Sequence, residues 1–203
     1  MKRLLALFVL IVASASAQAE APVILVFGDS ISAGYGLPLE QGWVELLKTR
    51  LKSQGYVYQV VNASVSGETT AGGLARLPRA LELHHPSIVI LELGGNDGLR
   101  GLPIAQMREN LTQMANLSSA AGAKVLLLGM RMPPNYGPEY TQQFAFVFSD
   151  LAAEKKLAVL PFLLTGIALS PALLQADDIH PNAQGQPILL DNVWPTLKPL
   201  LRK

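Results

Sequence analysis

Cysteine is absent from the 203-residue chain. That absence excludes disulfides, a thiol nucleophile and cysteine-ligated zinc. No excess of either charge is present: 16 basic residues face 15 acidic ones, and once Lys2 and Arg3 of the leader are set aside the count is 14 against 15. A nucleic-acid partner is therefore not expected. Three local patterns are missing as well: a Walker A loop, G-x-G-x-x-G after a strand, and H-E-x-x-H, which removes the obvious nucleotide and zinc sites. The G-x-S-x-G elbow is incomplete, because Gly28-Asp29-Ser30-Ile31-Ser32 lacks its last glycine. Histidine is scarce, with only His84, His85 and His180. Any imidazole chemistry rests on those three.

Half of the residues are hydrophobic, enough to bury the core of one domain without covalent staples. The opening "MKRLLALFVLIVASASAQAEAP" joins Lys2 and Arg3 to an apolar stretch, Leu4 to Val12, and then to small residues ending Ala17-Gln18-Ala19. This order predicts a secretory signal over 1–19, cut after Ala19, and a mature domain over 20–203 located in the periplasm or secreted. The apolar stretch is shorter than the roughly 20 residues that span a bilayer, so no permanent membrane anchor is expected. The triplets at Asn62, Asn110 and Asn116 fit N-x-[ST]. They fall in a predicted helix or loop and are read as chance.

Along the rest of the chain five apolar runs alternate with segments of helical period. The runs "PVILVF" (22–27), "YVYQVV" (56–61), "SIVILEL" (87–93), "KVLLLGM" (124–130) and "LAVLPF" (157–162) predict strands, most of them buried on both faces. Helices are expected at 43–53, 71–84, 103–121, 139–156 and about 185–200. In the third, Ile104, Met107, Leu111 and Met114 recur at spacings of three and four behind Pro103. The alternation implies an α/β fold with a parallel sheet covered by helices on both faces. In such sheets the chemistry lies in the loops beyond the carboxyl ends of the strands. Here those loops carry "GDSISAGYG", "NASVSGETTAGG", "GGNDGLRG" and "DDIHPNAQG".

Ser30 follows the first strand, but a serine hydroxyl is a weak nucleophile until a base reaches it and a third group orients that base. His84 and His85 close a predicted helix before Pro86, at the opposite end of the sheet, and are read as an exposed helix terminus. His180 shares its loop with Asp177, three residues before it and the preferred partner of Nδ1, and with the adjacent rival Asp178. Donors for a developing oxyanion are the Ser30 N–H, the backbone at Gly67 and the amide of Asn96. Each of these also has an ordinary reading, as a helix cap, a turn glycine and a left-handed loop residue.

Taken together, "FGDSIS", "NASVSGETT", "GGND" and "DDIHP" resemble the four marker segments of the SGNH, or GDSL-type, hydrolases. The likeness runs from about residue 23 to 200. The longer strings "GGLARLP", "ELGGNDGLRG" and "PPNYG" are similar to its bacterial periplasmic thioesterase, lysophospholipase and arylesterase subgroup. The resemblance implies a flavodoxin-like three-layer α/β/α sandwich on a five-stranded parallel sheet. It also implies a serine esterase without metal or cofactor. Ser30 would be the nucleophile, Asp177 and His180 the rest of the triad, and Ser30, Gly67 and Asn96 the oxyanion hole.

The implied substrates are small: aryl esters, fatty acyl esters, acyl thioesters and lysophospholipids. A monomer is expected. Leu99, Leu102, Met132 and Tyr136, with Met130 and Phe144 nearby in sequence, are candidates to line an acyl groove, since methionine adapts to apolar ligands. Two rival readings are a carbohydrate O-acetylesterase and an inactive periplasmic lipid-binding module. Few aromatics near the expected site weigh against the first, and the retained Ser, Asn and His weigh against the second.

Overall fold

The computed structural model describes residues 21–203. The expected signal segment, 1–19, lies outside the described residues. Five strands, β1 (Val23–Gly28), β2 (Gln59–Asn62), β3 (Ile88–Glu92), β4 (Lys124–Leu128) and β5 (Ala158–Leu160), pair in parallel in the order β2-β1-β3-β4-β5. This is the flavodoxin-like order, whose direction reverses between β1 and β3. Loops leaving those two neighbours diverge to opposite sides. A crevice is left between them for a site.

Among the described residues seven helices connect and cover the strands: α1 (Ser30–Ala33), α2 (Trp43–Ser53), α3 (Thr70–His84), α4 (Gly95–Leu99), α5 (Ile104–Ala120), α6 (Pro138–Lys155) and α7 (Gly185–Leu197). α2 and α7 pack together over β2, β4 and β5, while α3, α5 and α6 pack side by side over β1, β4 and β5. The two layers bury the central strands completely: Ile24 to Phe27 on β1 and Ile88 to Leu91 on β3 are at most 1% exposed. Removing each such side chain from water contributes about 1.5–3 kcal/mol. The sheet interior thus supplies the rigid base beneath the loops.

The edge strands are shorter than their apolar runs. Tyr56 donates its N–H to Leu51 O, 2.9 Å away, to finish the turn after α2, and Val57 is exposed, so β2 starts only at Gln59. β5 stops at Leu160 because Pro161 has no N–H for the ladder. α7 ends at Leu197 and gives way to a single 3-10 turn over Lys198–Leu200. Neither α1 nor α4 was marked by periodicity, since four or five residues give no repeat to read. Among the described residues no helix is long and apolar enough to cross a membrane.

Candidate active site

β1 ends at Gly28, Asp29 caps α1 by accepting the Ile31 N–H on Oδ1 at 3.0 Å, and Ser30 is the first helical residue. A sharp strand-to-helix corner therefore presents the Ser30 hydroxyl at the carboxyl end of the sheet, half-buried. The corner is close-packed: a β-carbon on Gly28 would sit 2.5 Å from Glu92 Oε2 and 2.9 Å from the Glu92 carbonyl oxygen.

His180 arrives from the far edge of the sheet. After β5 the chain turns back on itself through an antiparallel bridge between Leu174 and Pro181, with Gln175 N–H donating to His180 O at 2.7 Å. The Gln175 side-chain amide donates to Tyr35 O at 2.8 Å and to Pro181 O at 3.2 Å. It thereby ties the histidine loop to the segment behind Ser30. His180 Nε2 lies 2.8 Å from Ser30 Oγ and Nδ1 lies 2.6 Å from Asp177 Oδ2. The Tyr35 ring, 4.8 Å from the imidazole, closes one side.

Asp177 meets both the ring and the backbone. Its Oδ1 accepts the N–H groups of Ile179 and His180, each at 3.0 Å. Burial pushes its carboxyl up, but the His180 N–H, the imidazole and the Ile179 N–H outweigh that and hold it down at about 2. It stays a carboxylate through the whole neutral range. Asp178, the rival in the sequence, occupies the left-handed region at φ 57°. The side-chain bond to His180 is made by Asp177.

The three oxyanion candidates come from three successive strand ends. Gly67, at φ 78°, follows β2 in a conformation that favours glycine. Its carbonyl accepts from Arg100 at 2.9 Å, and Val65 N–H donates to Gly28 O at 3.0 Å, which anchors this loop to the end of β1. Among the described residues neither Ser30 N–H nor Gly67 N–H donates to another protein group. Asn96, on α4 after β3, donates one amide hydrogen to Asp29 Oδ2 at 3.1 Å. That bond fixes which end of the amide faces the site and leaves its second hydrogen available.

Asp97 links the same two loops from below. Its buried carboxylate accepts the Thr70 N–H at 2.8 Å and the Thr70 hydroxyl at 2.5 Å, while Asn110 donates to that hydroxyl at 3.0 Å. The α4 turn is thus locked to the start of α3, three residues beyond Gly67.

Sequence reasoning missed Asp29, Asp97, Tyr35 and Gln175 as parts of this arrangement. Asp29 and Asp97 sit beside Ser30 and Asn96 inside segments already singled out, so adjacency was the available signal. Tyr35 and Gln175 had none. His84 and His85 stand at the carboxyl end of α3, just before the amino end of β3, away from this cluster.

The groove candidates divide. Met132 is buried, and a β-carbon on Gly98 would collide with its sulfur. Phe144 is fully buried, and Tyr136 donates its hydroxyl to Leu99 O at 3.0 Å. Leu102 is exposed. Gly95 and Gly98 are buried in close packing. A cleft of about 360 Å³ lies elsewhere, at the amino ends of the strands near Ser87 and Lys124. It holds no paired nucleophile and base.

Residues 26–188 match the GDSL-like Lipase/Acylhydrolase family. The chain is 57% identical over 184 residues to "Esterase TesA" of Pseudomonas aeruginosa, covering 91% of this chain and 92% of that protein. It is 42% identical over 183 residues to "Thioesterase 1/protease 1/lysophospholipase L1" of Escherichia coli K12, covering 90% and 86%. Among solved structures, the psychrotrophic esterase EstA from Pseudoalteromonas, in a form inhibited by monoethylphosphonate, superposes with a TM-score of 0.83 at 40% identity, covering 87% and 97%.

Proposed function

Because the chain belongs to the GDSL-like lipase/acylhydrolase family and is a carboxylic ester hydrolase, we propose that Ser30 carries the acyl group in each turnover. The observation that supports this reading is the unbroken hydrogen-bond chain Asp177–His180–Ser30. His180 Nε2 accepts the hydroxyl proton as Ser30 Oγ bonds to the acyl carbon, and the carbonyl oxygen takes the negative charge. The Ser30 N–H, the Gly67 N–H and the Asn96 amide hold that charge. Collapse breaks the bond to the leaving oxygen or sulfur, which takes the proton back from His180. Water then repeats the sequence and frees the acid. Asp177 keeps Nδ1–H in place and stabilises the imidazolium at both steps.

The substrates are small esters, thioesters or lysolipids, as in the relatives. We assign residues 1–19 to export and the working location to the periplasm or outside the cell. An acyl groove bordered by Leu99, Leu102, Met132 and Tyr136 fits their place beside α4.

The test is kcat/KM across p-nitrophenyl esters from acetyl to palmitoyl. A medium- or long-chain optimum supports the lipid-directed reading, activity confined to acetyl points instead to sugar O-acetyl groups, and none at all to a binding module. Met132→Ala opens space under Gly98 and is expected to shift the optimum toward longer chains. An unchanged profile in the folded variant removes Met132 from the groove.

A further inference from the structure

Glu92 closes β3 on the central sheet with its side chain fully buried. All the donors its Oε2 accepts belong to the residues flanking Ser30: the Asp29 N–H at 3.2 Å, the Ser32 N–H at 3.3 Å and the Ser32 hydroxyl at 2.7 Å. Oε1 has no donor among the described residues. Asp29, also buried, spends its two oxygens on the Ile31 N–H and the Asn96 amide. The nucleophile turn and the oxyanion amide thus hang on two adjoining buried carboxyl groups. Such a pair carries one proton more cheaply than two negative charges.

The burden of the charge falls unequally. Asp29 is raised by burial to about 6, held from rising further by the Ile31 N–H, His180 and Asn96. Glu92, deeper and repelled by Asp29, is pushed well above its ordinary 4.5 despite the three donors. Asp29 is the titratable group that acts on it. A neutral Glu92 also explains its bare Oε1, since an orphaned ionic oxygen in the sheet interior costs far more than an orphaned carboxylic acid oxygen.

We propose that Glu92 is a positioning residue for acyl transfer: its buried carboxyl braces the Ser30 turn and, through Asp29, aims the Asn96 amide at the oxyanion. This rests on the roles given above to Ser30 and Asn96. Glu92 touches no substrate and acts only through Ser32 and Asp29. Its removal lets the turn and the amide shift while the acyl groove stays as it was, so the loss falls on kcat rather than KM.

The experiment is a double-mutant cycle of Glu92→Ala with Asn96→Ala, alongside Glu92→Gln, read on p-nitrophenyl butyrate and by thermal unfolding. Asn96→Ala alone is expected to lower kcat about 10²- to 10³-fold; if it does not, the oxyanion assignment fails, and this proposal with it. Glu92→Ala is expected to lower kcat at least tenfold with KM within twofold, and Asn96→Ala should then cost much less in that background than in the wild type. Full additivity, or a normal kcat in folded Glu92→Ala, overturns the proposal while leaving Asn96 in its role.

Glu92→Gln decides the matter even where the alanine variant fails to fold. The folded wild-type chain holds a proton that the unfolded chain releases above its ordinary 4.5, so wild-type stability falls as pH rises from there. Glutamine is neutral at every pH and can still accept the three donors. It is expected to keep kcat within threefold and to raise Tm at pH 8 by roughly 2 °C or more, a gap that closes toward pH 5. A lower Tm at pH 8 together with a tenfold loss of kcat overturns it, because the charge would then be what the site needs.

Discussion

Ser30→Ala is expected to lower kcat by about 10⁴-fold or more, with Tm close to that of the wild type. The size follows from removing the group proposed to form the covalent bond, since triad members act as a unit and the loss of one forfeits most of their joint effect. The preserved stability follows from the surroundings. Among the described residues Ser30 Oγ is hydrogen-bonded only to His180 Nε2, and the turn is held by Asp29 and Ser32 through their own bonds to Glu92. Residual hydrolysis would come from the oxyanion donors and binding. Single-turnover and steady-state rates on one p-nitrophenyl ester, with Tm measured on the same preparation, check both halves. Activity within tenfold of the wild type in the folded variant would remove Ser30 as nucleophile.

Asp177→Asn is expected to cost about 10⁴-fold in kcat, whereas Asp178→Asn stays within a few-fold of the wild type. Asparagine keeps the size of the side chain and its backbone acceptor. It can also turn an N–H₂ toward Nδ1, which favours the tautomer with the proton on Nε2, and that nitrogen then cannot take the Ser30 proton. Asp178 lies one residue away at positive φ and does not bond the imidazole. The pair of variants separates orientation of His180 from mere negative charge near it. A large loss in Asp178→Asn, with Asp177→Asn near normal, would reverse the assignment.

The central strands were legible because each is buried on both faces and so reads as a continuous apolar run. β3 and β4 fall inside "SIVILEL" and "KVLLLGM", and β1 overruns "PVILVF" only by Gly28. Edge strands were less so. β2 loses its first three expected residues to the turn that ends α2, a tertiary choice that no local pattern records. Ser30, Gly67, Asn96, Asp177 and His180 were singled out because they lie in the polar, glycine-rich loops after the strands and because those segments together resemble the four markers of the GDSL-type family. Asp177 was preferred to its neighbour Asp178 on spacing and on the family resemblance, and in the structure it is Asp177 that bonds the imidazole.

What stayed hidden was the support. Glu92 lies in "ILELGG" and looks like an ordinary polar exit from a strand, because nothing local says that α1 will be folded over it. Gln175 and Tyr35 are 140 residues apart along the chain and meet only through the return of the last loop across the sheet. Such contacts arise from topology. They become visible once the order β2-β1-β3-β4-β5 sets the neighbours.

The measurement that tests the central claim most directly is the site of labelling by a p-nitrophenyl alkylphosphonate, read by intact mass and then by peptide sequencing. The phosphonate requires a nucleophile activated by its base and an oxyanion hole to hold the displaced charge, so it reports the assembled site. One adduct per chain, on Ser30, formed at the rate at which ester hydrolysis is lost and abolished in His180→Ala, is the result expected here. An adduct on another residue, or rapid ester hydrolysis persisting after Ser30 is fully modified, would contradict it.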